Sequence, residues 1–107
     1  MKSVINSVEE ILEFISEKKS SYRFIIIKFS TEWCPPCKKI KEVTKRLEEE
    51  RKDVFIIEID AEKSFQLSRD PMFDVFSVPT MFLFDKGSFV RKINGYIDLE
   101  SLKKFLT

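Results

Sequence analysis

Cys34 and Cys37 are the only cysteines in the chain, and they stand two residues apart. They lie in the stretch FIIIKFSTEWCPPCKKI, Phe24 to Ile40. Its first part, Phe24 to Phe29, is an apolar, isoleucine-rich run that reads as a buried strand. Ser30-Thr31-Glu32 reads as a short polar turn, and a helical pattern begins at Cys34. A Cys-x-x-Cys pair where a strand gives way to a helix reads as a dithiol redox site. The attacking species in such chemistry is the thiolate, and a free cysteine ionises only at about 8.5. Cys34 falls at the helix N-terminus, where the macrodipole favours negative charge. Lys38, Lys39 and Lys41 add positive charge nearby. Cys34 is therefore expected to be solvent-accessible, with a lowered pKa. Cys37, one turn further in, points to the apolar stripe of the helix and is expected to keep its proton until it is needed.

Composition removes several other chemistries. The chain has no histidine, so histidine acid–base catalysis and His-containing metal sites are excluded within one chain. Two cysteines cannot complete a tetrahedral zinc site alone. The net charge is +1, with no basic block, which argues against nucleic acid and membrane partners. No apolar run approaches the roughly 20 residues that span a bilayer. The opening MKSVINSVEEILEFI carries acids where the apolar centre of a signal peptide would lie, so a cytoplasmic protein is expected. Residues 1–107 read as one soluble domain, with 43% hydrophobic and 35% charged residues.

The remaining segments supply the scaffold. Val4-Ile5 reads as a short edge strand. Ser7 and Glu10 have the form of a capping box opening a helix to about Lys19, with Val8, Ile11, Leu12 and Ile15 on its apolar face. The next helix is expected from about Cys34 to Arg51, with Cys37, Ile40, Val43, Thr44 and Leu47 inward. Val54 to Asp60 reads as a second strand, Ser64 to Asp70 as a short helix stopped by Pro71, and Met81 to Phe84 as a third strand. Asp85 to Ser88 is a hairpin turn in which Gly87 takes positive φ. Phe89 to Ile93 returns antiparallel, and Asp98 caps a last helix. The fold class is α/β: a mixed central sheet, with a parallel βαβ half and an antiparallel ββα half, flanked by helices on both faces. Most of the phenylalanines read as core. Met72, Phe73 and Phe76 cluster near the expected groove; core packing is the leading reading for them, with partner binding as the alternative.

Trp33-Cys34-Pro35-Pro36-Cys37-Lys38 after a hydrophobic strand, Val78-Pro79-Thr80 before another, Lys86-Gly87 in the hairpin and Gly95 near the end together resemble the thioredoxin family over essentially the whole chain. The resemblance implies the thioredoxin fold and a thiol-disulfide oxidoreductase that reduces protein disulfides. It implies Cys34 as nucleophile, Cys37 as resolving thiol and Pro79 as a cis-proline preceded by Val78. Substrate would dock on Trp33, Pro35, Pro36, Val78, Pro79, Thr80, Gly95 and Tyr96. No bound cofactor is implied. The implied partners are protein disulfides and a flavoprotein reductase as electron donor, with the protein acting as a monomer. A thiol oxidase or isomerase of the same fold and a redox-silent adaptor are the alternative readings.

Three departures from the family stand out. Pro35-Pro36 replaces the usual Gly-Pro, stiffening the turn and removing an N–H. Lys28 stands where the family carries a buried aspartate that helps deprotonate the resolving cysteine. The family's matching lysine on the neighbouring strand falls at Glu58. A lone buried charge costs several kcal/mol, so Lys28 and Glu58 are expected to pair. In that arrangement Glu58 accepts the proton of Cys37 and Lys28 favours its thiolate. The simpler alternatives are a structural ion pair or a Lys28 that snorkels to solvent.

Overall fold

The computed structural model describes residues 2–3, 5 and 7–106. In chain order its elements are β1 (Lys2–Ser3), α1 (Val8–Lys18), β2 (Phe24–Ser30), α2 (Pro35–Glu50), β3 (Val54–Asp60), α3 (Phe65–Arg69), β4 (Thr80–Asp85), β5 (Ser88–Asn94) and α4 (Leu99–Lys104). The first strand therefore falls on Lys2–Ser3. Ile5 is not part of it, and Val4 lies outside the described residues.

The strands form one sheet in the order β1-β3-β2-β4-β5. β1, β3 and β2 run parallel, while β4 pairs antiparallel with both β2 and β5. The mixed α/β architecture read from the sequence is the one observed. β2 is central and buried at every position, because helices cover both of its faces.

Alternation along the strands divides the interior into two cores. Ile25, Ile27 and Phe29 of β2 face α1 and α3, joining Ile11, Ile15, Leu67 and Phe73. Phe24 and Ile26 face the other way, joining Ile40, Val43 and Leu47 of α2 and Leu102 of α4. Each fully buried apolar side chain contributes about 1.5–3 kcal/mol of transfer free energy. Leu12 departs from the expected apolar face of α1. It is 46% exposed, at the edge of a stripe that only Ile11 and Ile15 bury fully.

Local chemistry sets the ends of these elements. Ser7 Oγ accepts the Glu10 N–H at 3.3 Å and caps α1. Asp98 accepts the Ser101 N–H at 2.8 Å and caps α4. The β4–β5 turn is two residues long, with positive φ at both Lys86 (53°) and Gly87 (88°), the geometry that suits the twist of a hairpin.

Candidate active site

The reactive end of the sheet is built where β2 stops and α2 starts. Cys34 is the N-cap of α2, in extended conformation. Pro35 and Pro36 follow at the first helical positions, where a missing N–H costs nothing. The Cys37 N–H is thus the first amide donor of the helix, and it donates to Cys34 Sγ at 3.3 Å. The two prolines remove competing donors and leave one aimed at the sulfur. The Cys34 thiol in turn faces the Val78 carbonyl oxygen, 3.6 Å away.

This capping role explains a correction. Cys34 was expected to be solvent-accessible, but it is 4% exposed, because its sulfur turns inward to the helix terminus and to Val78. Cys37 follows expectation. Both cysteines are free thiols. Burial and the contact with Cys34 push the Cys37 thiol up to about 12, against the opposing pull of the Thr31 backbone N–H and the Lys28 charge.

Lys28 lies on the α2 side of the sheet, directly beside Glu58 in the β2–β3 register. Its ammonium sits 3.2 Å from Glu58 Oε2 and donates to Thr44 Oγ1 on α2 at 3.0 Å. Ser30 Oγ also donates to Glu58 Oε2, at 3.0 Å. The expected ion pair is therefore formed. Lys28 does not snorkel, since its side chain is only 4% exposed. Glu58 and Cys37 line one pocket of about 310 Å³, together with Ser30, Lys38 and Lys41.

On the other side of Cys34 lies a groove of about 550 Å³ that includes Trp33, Pro35, Pro36 and Val78. Trp33 is 65% exposed, and its indole N–H donates to Glu62 Oε1 at 2.6 Å. The Val78–Pro79 peptide bond is cis. Pro79 is buried, and its carbonyl accepts the Gly95 N–H at 2.8 Å, which brings Gly95 beside it. Thr80 is fully buried, and its hydroxyl donates to the Ser77 carbonyl at 2.7 Å. Its visible contribution is to hold the Ser77–Pro79 loop. Tyr96 lines a separate pocket with Lys39, Val43 and Asp98.

The leading core reading fails for two of the three clustered residues: Phe76 (73% exposed) lines the groove and Met72 (43% exposed) is also outside the core, whereas Phe73 is buried. Phe65 and Arg69 of α3 also line the groove, as does Glu62. The available signal was the i, i+4 spacing of Phe65 and Arg69, which places them on one face of a short helix. Residue type alone could not show that this face is uncovered.

Comparison with known proteins agrees with this geometry. The thioredoxin family model matches residues 5–107. A thioredoxin of Chlamydia trachomatis is 34% identical over 83 residues, covering 78% of this chain and 79% of that protein. A bifunctional thioredoxin reductase/thioredoxin of Mycobacterium leprae is 31% identical, over 77% of this chain and 18% of that protein. The X-ray structure of Fasciola hepatica thioredoxin superposes with a TM-score of 0.80 at 20% identity, covering 99% of this chain and 97% of that one. With its two free thiols at a helix N-terminus beside a cis-proline, the chain belongs to the thioredoxin family of thiol-disulfide oxidoreductases.

Proposed function

We propose that Cys34 is the nucleophile and Cys37 the resolving thiol in the reduction of protein disulfides. The observation that carries this reading is the Cys37 N–H aimed at Cys34 Sγ from the first free amide of α2. A donor at that place stabilises negative charge on the sulfur. The Cys34 thiolate attacks one sulfur of the substrate disulfide, forming a mixed disulfide and releasing one substrate thiolate. Cys37 then loses its proton and attacks Cys34 Sγ. A Cys34–Cys37 disulfide forms, the second substrate thiolate leaves, and two electrons have passed to the substrate.

Glu58 is the acceptor for the Cys37 proton in this scheme. It is supported by the pocket the two residues share and by the neighbouring Lys28 ammonium, which offsets charge accumulating there. Trp33, Pro35, Pro36 and Val78 form the docking surface next to Cys34, with Pro79, Thr80 and Gly95 shaping the loop behind it and Tyr96 on the flank. A flavoprotein reductase resupplies the electrons, a reading supported by the fused reductase of the Mycobacterium leprae relative. The protein works in the cytoplasm as a monomer. Among the described residues, no helix is long and apolar enough to cross a membrane.

The test is reduction of insulin by the dithiol form. Cys34→Ser should abolish it, and activity surviving that substitution would refute the assignment. The reduction potential of the Cys34/Cys37 couple separates a reductase from an oxidase or isomerase.

A further inference from the structure

The groove beside Cys34 is electrically polarised. At one wall, Trp33 is fixed by its hydrogen bond to the Glu62 carboxylate. At the other, the Arg69 guanidinium stacks on two exposed rings, 5.3 Å from the centre of Phe65 and 5.1 Å from that of Phe76. Phe65 and Arg69 are one turn apart on α3, and Phe76 closes the stack from the following loop. The two rings flank the guanidinium and offer its N–H groups no acceptor. Arg69 makes no hydrogen bond or ion pair among the described residues, so its charge is not neutralised. A planar guanidinium flanked in this way is preorganised to bind a carboxylate through two N–H groups. Exposed aromatic rings beside a reactive centre supply apolar contact for the same ligand.

We propose that Arg69 is a specificity-determining residue, selecting disulfide substrates whose segment flanking the attacked cysteine carries an acidic side chain. The occupant is an extended segment of a substrate protein. Its apolar groups rest on Phe65 and Phe76, and its carboxylate meets Arg69. Glu62, which lines the same groove beside Trp33, repels an acid placed there, so the groove also sets the direction in which the segment lies. This inference rests on the assignment of Cys34 as the attacking residue, and the experiment separates the two.

The substrates are short peptide disulfides carrying Asp, Asn or Lys two residues from the reactive cysteine, on either side of it. For one of the two sides, kcat/KM at low salt should fall about 5-fold from Asp to Asn and again from Asn to Lys, the size expected of an accessible charge pair. Arg69→Glu should invert the order, and Arg69→Gln should flatten it. Arg91→Glu, on the far side of the sheet against Phe105, should leave it unchanged. Raising the salt to about 0.5 M should shrink the Asp-to-Lys ratio towards one. A flat series on both sides, or an order that survives Arg69→Glu, overturns the proposal. NMR titration with the same peptides, their cysteine replaced by serine, reads the charge order without any chemistry. An Asp preference there with no disulfide reduction would overturn the role of Cys34 and leave that of Arg69 standing.

Discussion

Lys28 and Glu58 stand opposite each other in the parallel strands β2 and β3, and their charges meet at 3.2 Å beneath the cysteine pair. The two partners are not equally placed. Lys28 is 4% exposed at the side chain, and Thr44 is its other hydrogen-bond partner. Glu58 is 17% exposed and also accepts from Ser30. Removing Glu58 strands a buried ammonium, whereas removing Lys28 leaves a carboxylate nearer to water. Glu58→Gln should therefore cost about 3 kcal/mol and Lys28→Met less, while Lys28→Met with Glu58→Leu should recover most of the loss. Urea denaturation of the three variants checks the order, and a larger cost for Lys28→Met would contradict it.

The same pair has a kinetic consequence. If Glu58 accepts the Cys37 proton, decay of a Cys34 mixed disulfide should slow at least 10-fold in Glu58→Gln near neutral pH, within the range of general-base effects. The difference should narrow as rising pH lets hydroxide remove the proton. Stopped-flow resolution of a preformed mixed disulfide measures this. Equal rates at all pH values would leave Glu58 a structural residue.

Burial and Cys34 raise the Cys37 thiol to about 12. The unfolded chain releases that proton near 8.5. The folded state thus holds a proton that the unfolded state has lost, and stability falls with rising pH in the interval between. The contribution is whole below about pH 8.5 and is lost as the pH climbs to about 12. Wild type should lose stability faster than Cys37→Ala across this window, with parallel curves as the contrary result. In Cys34→Ala, the thiolate absorbance of Cys37 should titrate below the wild-type midpoint but above the ordinary cysteine range. Burial, the largest cause, survives that substitution.

Thr31 Oγ1 is buried with no hydrogen-bond partner among the described residues. An unpaired buried hydroxyl costs about 1–3 kcal/mol, and valine has nearly the same shape. Thr31→Val should stabilise the protein by about 1 kcal/mol, read as a higher urea midpoint at unchanged slope.

Much of this arrangement was legible in the sequence, for identifiable reasons. The apolar run around β2 admits only a central strand, and a lysine inside it announces a buried charge that must find a partner. The stripe of Cys37, Ile40, Val43, Thr44 and Leu47 is the one α2 buries. What escaped was decided by partners distant in the chain. The two-residue strand Lys2–Ser3 exists through its pairing with β3 and has no apolar pattern of its own. Phe73 and Phe76 are the same residue type three positions apart, yet one is buried against Phe29 and Phe82 of the sheet and the other borders the groove. The inward turn of the Cys34 sulfur depends on Val78, 44 residues away.

The sulfur proposed to attack is also the atom that closes the first turn of α2. A folding contact and a bond-making step then draw on one atom. Each covalent state of that sulfur (thiol, intramolecular disulfide, mixed disulfide) offers the helix a different terminus, and so each redox form should unfold at its own temperature. The melting curve of this protein is in that sense a titration of its electrons.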